Sequence, residues 1–314
     1  MTRVLFVFLD GVGLGEADGA VNPVMAARLP TLLGLLGGRR PVRDEAPIHA
    51  AGATLVGLDA TLGVPGLPQS GTGQVALLTG ENAARLFGRH FGPWVPTSLR
   101  GLLAERSVLA RAVRAGLRVA FANAYPEEFV AAIEKAARGP GPLRAAPPLA
   151  ALAAGLLTRH TAELARGEAV ASEITNDGWR ERLGRTTVPV IEPEEAGRNL
   201  ARIAAAHDLT FFAHYSTDHV GHRGSLADAV AALETVDAFL AGVLAGLPPD
   251  TLLVVASDHG NIEDLRGGHT FNPALLLAVG PGHVEFAAGS ASLVDVAPRI
   301  LRWLGVGGEG RPRE

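Results

Sequence analysis

The chain has 314 residues, 47% of them apolar, and a formal net charge of −4. This length and composition argue against disorder and suit one large α/β domain or two smaller ones, and the charge gives no basic face for nucleic acid. There is no cysteine, which excludes disulfides, thiolate metal sites and a cysteine nucleophile.

Residues 4–9 (VLFVFL) form a short apolar run that reads as a buried parallel strand. Asp10 follows and interrupts the apolar N-terminus too early for a signal-peptide core or a membrane span. The longer Ala/Leu segments are also broken by prolines, arginines and glycines, so we expect a cytoplasmic protein with no membrane partner. Gly11, Gly13 and Gly15 come next, but the spacing does not match a dinucleotide-binding turn, and Asp10 stands where its first glycine belongs. An acid at a strand's C-terminal end lies where open α/β sheets place ligand groups, although a turn-capping Asp explains it equally well.

Residues 30–36 read as a short helix and Ala53–Leu58 as a strand. In residues 68–80 (PQSGTGQVALLTG), Ser70 sits in a Gly-containing turn ahead of an apolar segment, 74–78, that reads as helix. Free N–H groups and the dipole at a helix start stabilise an anion, which suits a nucleophile. A plain serine N-cap fits the same place, and Thr72 is the competing hydroxyl. The segment is neither a Walker A loop nor a G-x-S-x-G elbow.

Residues 97–116 read as one helix and 117–122 as a strand. Between 126 and 189 the text changes: helical at 127–138, Pro/Gly-rich at 139–148, helix-like at 149–166 and irregular at 173–184. We expect a small, mostly helical insertion there, between core segments 1–125 and 190–314. Asn176, Asp177, Trp179 and Arg180 read as surface-loop residues within reach of a substrate. Alternation then resumes, with helices at 192–207, 225–247 and 292–304 and strands at 209–213, Thr251–Ala256 and Ala274–Val279. This pattern implies a mostly parallel sheet with helices on both faces.

Five of the ten histidines fall between His214 and His269, together with Asp218 and Asp258. In a helical turn, Asp218 and His222 share one side. Asp258 and His259 follow the strand Thr251–Ala256, and His269 returns past Gly267 and Gly268, a flexible turn. His214 and His219 are read as non-ligands, one facing solvent and one behind the site. Two divalent cations carry four positive charges, matched by three carboxylates and a Ser70 alkoxide. This is the balance a two-metal phosphoryl-transfer site needs.

The ordered set Asp10-Gly11, Ser70, D-x-V-G-H at 218–222, D-H-G-N at 258–261 and H-T-x-N-P at 269–273 resembles the alkaline phosphatase superfamily. The resemblance is nearest to the branch of cofactor-independent phosphoglycerate mutase and phosphopentomutase. It extends to S-L-x-D-x-x-P at 292–298 and covers about the first 125 residues and those from about 190 onward. It implies a three-layer αβα sandwich. It further implies one metal on Asp10, Ser70, Asp258 and His259 and another on Asp218, His222 and His269, with Ser70 bridging and forming a phosphoserine. The metals are expected to be Mn²⁺ or Zn²⁺, because carboxylate with imidazole suits both. Gln74 departs from the pattern, standing where the family has histidine, and the large mutase domain has no counterpart. Hydrolysis of a small phosphoester or phosphodiester is therefore expected ahead of phosphomutase activity. No modification motif of the sulfatase kind surrounds Ser70. A non-catalytic metal- or phosphometabolite-binding regulator on the same fold is the alternative of another class. Arg85, Arg89, Arg223 and Arg266 are candidate phosphate contacts, each weakened by the composition: Lys135 is the only lysine, so 27 of the 28 basic residues are arginine.

Overall fold

A computed structural model describes residues 3–138 and 144–307. In chain order it has β1 (Arg3–Leu9), α1 (Pro30–Leu35), β2 (Ile48–His49), β3 (Ala53–Leu58), α2 (Ser70–Thr79), α3 (Ala83–Phe87), α4 (Arg100–Arg106), α5 (Val108–Arg114) and β4 (Val119–Phe121). There follow α6 (Glu127–Arg138), α7 (Ala146–Ala153), α8 (Thr161–Ala165), α9 (Asp177–Glu181), α10 (Pro193–Ala205) and β5 (Leu209–His214). The chain closes with α11 (Ser216–Arg223), α12 (Leu226–Gly246), β6 (Thr251–Ala256), β7 (Ala274–Val279), α13 (His283–Ala288) and α14 (Leu293–Trp303).

The strands form one sheet in the order β2-β3-β7-β6-β1-β5-β4. β6, β1, β5 and β4 are mutually parallel, while β7 runs antiparallel to both β6 and β3. Five of the seven strands therefore share a direction, and the mixed character is confined to the β7 side.

Alternation along β1 shows how the layers form. Val4, Phe6 and Phe8 enter one apolar cluster, with residues of α2, α4, α5, α7 and α14. Leu5, Val7 and Leu9 enter the other, with residues of α1, α10 and α12. Successive side chains of a strand point to opposite faces, so one apolar run serves both helical layers. On the first face, Phe6, Phe211 and Phe121 pack across three adjacent strands, with ring centroids 4.9 and 5.7 Å apart. The three-layer αβα sandwich is the architecture observed.

α12 is long and apolar enough by length and composition to cross a membrane. Its Leu233, Val236, Phe239, Leu240 and Val243 are instead buried in the second cluster. It crosses α10 at very close range. A Cβ on Gly242 would lie 2.0 Å from the Glu194 carbonyl oxygen, and one on Gly197 would lie 2.1 Å from that of Phe239. Ser225 caps α12, its hydroxyl accepting from Asp228 N.

Several elements differ from their sequence reading for local reasons. The span 97–116 is two helices, because Ser107 is extended (φ −58°, ψ 147°) and its Oγ caps α5 by accepting from Ala110 N. The span 149–166 is likewise split into α7 and α8, and the strand at 117–122 shortens to three residues. α2 begins at Ser70 itself. Its glycines mimic a turn in the sequence, but Gly71 is there because a Cβ would meet the Trp94 carbonyl oxygen at 2.2 Å. Residues 139–143 of the Pro/Gly-rich stretch lie outside the described residues. Within 126–189, Ala146, Leu149, Ala150 and Ala151 of α7 join the first cluster, whereas Leu164, Ala169, Ala171, Trp179 and Val188 form a small cluster with Ala124.

Because the α10–α12 contact is backbone against backbone, no side chain can swing away to relieve it. Gly242→Ala is expected to destabilise the fold by about 1–3 kcal/mol through overpacking, despite the ~1 kcal/mol gain in helix propensity. A urea denaturation midpoint at or above that of the parent would contradict this.

Candidate metal centre

The adjacency of β6, β1 and β5 brings three acids together at the C-terminal ends of the strands. Asp10 follows β1, Asp258 lies two residues past β6, and Asp218 sits in the first turn of α11, directly after β5. Backbone contacts fix these positions. Asp10 N donates to the His214 carbonyl (3.0 Å), Thr217 Oγ1 donates to the Asp10 carbonyl (2.6 Å), and Gly11 N donates to Asp258 Oδ1 (3.3 Å). Gly11 is in the left-handed region (φ +69°), and a Cβ there would lie 2.7 Å from Asp218 Oδ1.

The residues form two groups. Asp10, Asp258 and His259 are all buried, and Asp218, His222 and His269 are more open. Within each group, one ligand atom per residue lies within 4.8 Å of the others. In the first, His259 Nε2 lies 3.4 Å from Asp10 Oδ1 and 3.5 Å from Asp258 Oδ2. In the second, Asp218 Oδ2 is 3.5 Å from His222 Nε2, Asp218 Oδ1 is 3.6 Å from His269 Nε2, and the two imidazole nitrogens are 3.1 Å apart. The groups touch through the His259 and His269 rings, stacked with centroids 3.9 Å apart.

Tautomers follow from the partners. His269 Nδ1 is 2.8 Å from the Pro68 carbonyl oxygen, which can only accept, so Nδ1 carries the proton and Nε2 presents its lone pair. His259 Nδ1 likewise faces the Gly260 carbonyl at 3.3 Å. Its Nε2 therefore accepts from Ser70 Oγ, 2.9 Å away. Ser70 is the first residue of α2, a ten-residue helix, where backbone N–H groups and the dipole favour negative charge.

Burial pushes the Asp10 and Asp258 carboxyls well above the usual carboxylate range. The charge of Asp218 adds to this for Asp10, and that of Asp10 adds for Asp258. Burial also works to raise Asp218. Its neighbours His269, His259, the Asn261 amide and His222 outweigh it and hold Asp218 below its ordinary value. Burial lowers His222, against the pull of Asp218. Asp10 Oδ1 and Asp258 Oδ2 are buried and accept no hydrogen bond among the described residues. Two unpaired carboxylate oxygens facing one imidazole nitrogen are costly without a cation, and the donor set of oxygen and nitrogen suits a divalent metal. The residues fit divalent metal ions.

Two side chains that sequence reasoning missed hold the loops. Glu263 is buried. Its carboxylate accepts from Gly13 N (2.9 Å), Asn261 N (2.8 Å), Thr270 Oγ1 (2.6 Å) and Asn272 Nδ2 (3.1 Å). Asn261 donates from Nδ2 to Asp218 Oδ1 at 2.6 Å. The pattern D-H-G-N followed by an acid two residues later carried the signal, but Glu263 reads as one more loop charge.

Other expected residues are placed elsewhere. Thr72 Oγ1 accepts from Phe91 N (3.2 Å), turning to that loop. Arg85, Arg89, Arg223 and Arg266 are exposed, and Arg266 pairs with Asp264 at 2.6 Å. Arg89 lies over the Phe87 ring and lines an open cleft with Gln69, the neighbour of Ser70. His219 is exposed. His214 is buried, donates from Nδ1 to the Ser172 carbonyl (2.8 Å) and is lowered to about 4 by that burial. Asn176 donates to the Pro189 carbonyl, Arg180 to that of Thr186, and Trp179 is buried in the small cluster. Asp177 accepts from Thr175 Oγ1.

Carboxyls raised by folding favour the fold while protonated, and that contribution disappears as pH climbs through their folded values. Asp218, held low, runs the other way and loses its contribution in acid. In chelator at pH 8, Asp10→Asn is therefore expected to melt about 2–4 °C above the parent, the gap closing towards pH 4. Saturating divalent metal should reverse the order at pH 8. Identical melting curves in chelator at pH 8 would contradict the electrostatic account. Separately, Glu263→Ala leaves buried Gly13 and Asn261 N–H groups unpaired and should cost about 3 kcal/mol or more in denaturant unfolding.

A family model described as the metalloenzyme superfamily matches residues 184–307. The 2,3-bisphosphoglycerate-independent phosphoglycerate mutase of Desulforudis audaxviator is 36% identical over 128 residues, covering 37% of this chain and 25% of that one. The enzyme of the same description from Streptomyces coelicolor is 39% identical over 139 residues, with 39% and 25% covered. The match thus spans about a quarter of the length of these relatives. Among solved structures, the PH0037 protein of Pyrococcus horikoshii superposes with a TM-score of 0.59 at 13% identity, covering 99% of each chain. The alkaline phosphatase of the Antarctic bacterium TAB5 superposes with a TM-score of 0.50 at 11% identity, covering 98% and 99%. Residues 184–307 thus match the metalloenzyme superfamily, the part of the chain aligned with phosphoglycerate mutases is similar to them, and the fold is alkaline-phosphatase-like.

Proposed function

We propose that this chain is a two-metal phosphoryl-transfer enzyme that acts through Ser70, with water as the final acceptor and a small phosphoester or phosphodiester as substrate. One observation carries the reading: Ser70 Oγ, at a helix N-terminus, lies 2.9 Å from His259 Nε2, within the buried group that includes Asp10 and Asp258. The second group adjoins it through the stacked His259 and His269 rings. Asp10, Asp258 and His259, with Ser70, would hold one divalent ion, and Asp218, His222 and His269 the other. Bound there, the ions would lower the serine pKa and shield the anionic phosphate.

The chain's own residues supply the rest. The start of α2 stabilises Ser70 Oγ as it loses its proton to solvent. Oγ attacks phosphorus in line, the P–Oγ bond forms as the ester P–O bond breaks, and the leaving alcohol takes a proton from water. Water then attacks the phosphoserine, releasing phosphate and restoring Ser70. Asn261 holds the Asp218 carboxylate, and the Pro68 carbonyl fixes the His269 ring, so neither reorganises during the reaction. The sequence relatives favour a second reading, a phosphomutase, in which an alcohol oxygen of the dephosphorylated product replaces water as acceptor.

With Mn²⁺ or Zn²⁺ supplied, the parent is expected to hydrolyse an aryl phosphate, and Ser70→Ala to lose about 10³-fold or more in turnover. Acid quenching should trap phosphate on the Ser70 peptide. Unchanged turnover in Ser70→Ala, or no labelled serine during turnover, would refute the mechanism. Following free phosphate and isomerised product from phosphorylated metabolites separates the two acceptors.

A further inference from the structure

Gln74 has no part in the chemistry above, yet it is buried within the site. It lies one turn along α2 from Ser70 and makes two hydrogen bonds of different sense. Ala146 N, in the first turn of α7, donates to Gln74 Oε1 at 3.1 Å. Gln74 Nε2 donates to Asp10 Oδ2 at 3.1 Å. The amide has no freedom to flip. A backbone N–H can only donate, so the oxygen must face Ala146 and the NH2 must face Asp10.

The consequence falls on Asp10. Its Oδ2 is occupied by the Gln74 amide, while Oδ1 is buried, accepts no hydrogen bond among the described residues and lies 3.4 Å from His259 Nε2. A carboxylate with one oxygen held by a donor presents the other in a fixed direction. We infer that Gln74 is a positioning residue that fixes Asp10 as a single-oxygen ligand of the buried metal group, with the N-terminus of α7 holding Gln74 in turn. The role rests on the two-metal reading above. It also ties that group to a helix from the 126–189 segment, which itself supplies none of the candidate ligands.

The test isolates the buried group. In a His222→Ala/His269→Ala background, which removes the second group, Mn²⁺ and Zn²⁺ binding is measured by calorimetry for Gln74, Gln74→Met and Gln74→His. Methionine keeps the length and removes both hydrogen bonds. Histidine restores a donor and an acceptor on one ring. Gln74→Met is expected to weaken Kd by about tenfold or more, the usual cost of losing a partner behind a ligand. Gln74→His should recover most of the loss. In the otherwise unsubstituted chain, Gln74→Met should leave the Kd of the second group within twofold. A general loss of structure would weaken both groups, and the histidine variant would not rescue them. Unchanged Kd in Gln74→Met, or equal weakening of both groups, overturns the assignment to Gln74 and leaves the two-metal reading standing. Failure of the unsubstituted chain to bind either metal overturns both.

Discussion

The site depends on one buried carboxylate that takes no part in the chemistry. Glu263 joins three pieces of chain that are distant in sequence or would otherwise diverge: the turn after β1 through Gly13, the turn after β6 through Asn261, and the returning loop through Thr270 and Asn272. Charge-assisted hydrogen bonds of this kind are worth about 1.5–3 kcal/mol each, and their donors cannot find water instead. The glycines around it follow from the same contact. A Cβ on Gly13 would lie 2.5 Å from Glu263 Oε1, and one on Gly260 would lie 2.2 Å from the same atom. The loops close on Glu263 only because these positions carry no side chain.

The direction of β7 is the second constraint. β6 ends at Ala256 on the metal side, and β7, being antiparallel, begins at Ala274 on that same side. The 257–273 connection therefore never crosses the sheet, and it delivers Asp258, His259 and His269 to one place. A parallel β7 would need a crossover to the opposite end of the sheet, and His269 would have no short route back. The antiparallel departure from an otherwise parallel pattern is thus required by the site.

Much of this was legible in the sequence. The apolar runs at β1, β5, β6 and β7 were unambiguous, and the candidate positions had separate signals: Asp10, Asp218 and Asp258 at strand ends, His222 and His259 close behind two of them, His269 after a Gly-rich turn and Ser70 before a helix. What escaped the sequence depends on contacts distant along the chain. The pairing direction of β7 is absent from its own six residues. The S-G-T-G start of α2 read as a turn, because Gly71 is needed for the approach of the Trp94 carbonyl and Gly73 for that of Asp258. Glu263 carries no signal of its own beside Asp264 and Arg266, since only the folded loops supply its four donors. Thr72 looked available, but its hydroxyl had a partner nineteen residues away.

The seven candidate residues lie just after β1, on α2, on α11 and in the 257–273 connection, and none comes from the long excursion between β4 and α10. The candidate metal site and the bulk of that excursion are therefore built from separate elements. The parts of the excursion outside α7 share no element with the candidate carboxylates and imidazoles, whereas α7 packs Ala146, Leu149, Ala150 and Ala151 into the first apolar cluster. The exception is the Ala146 N–H, through which any rebuilt segment must still reach Gln74.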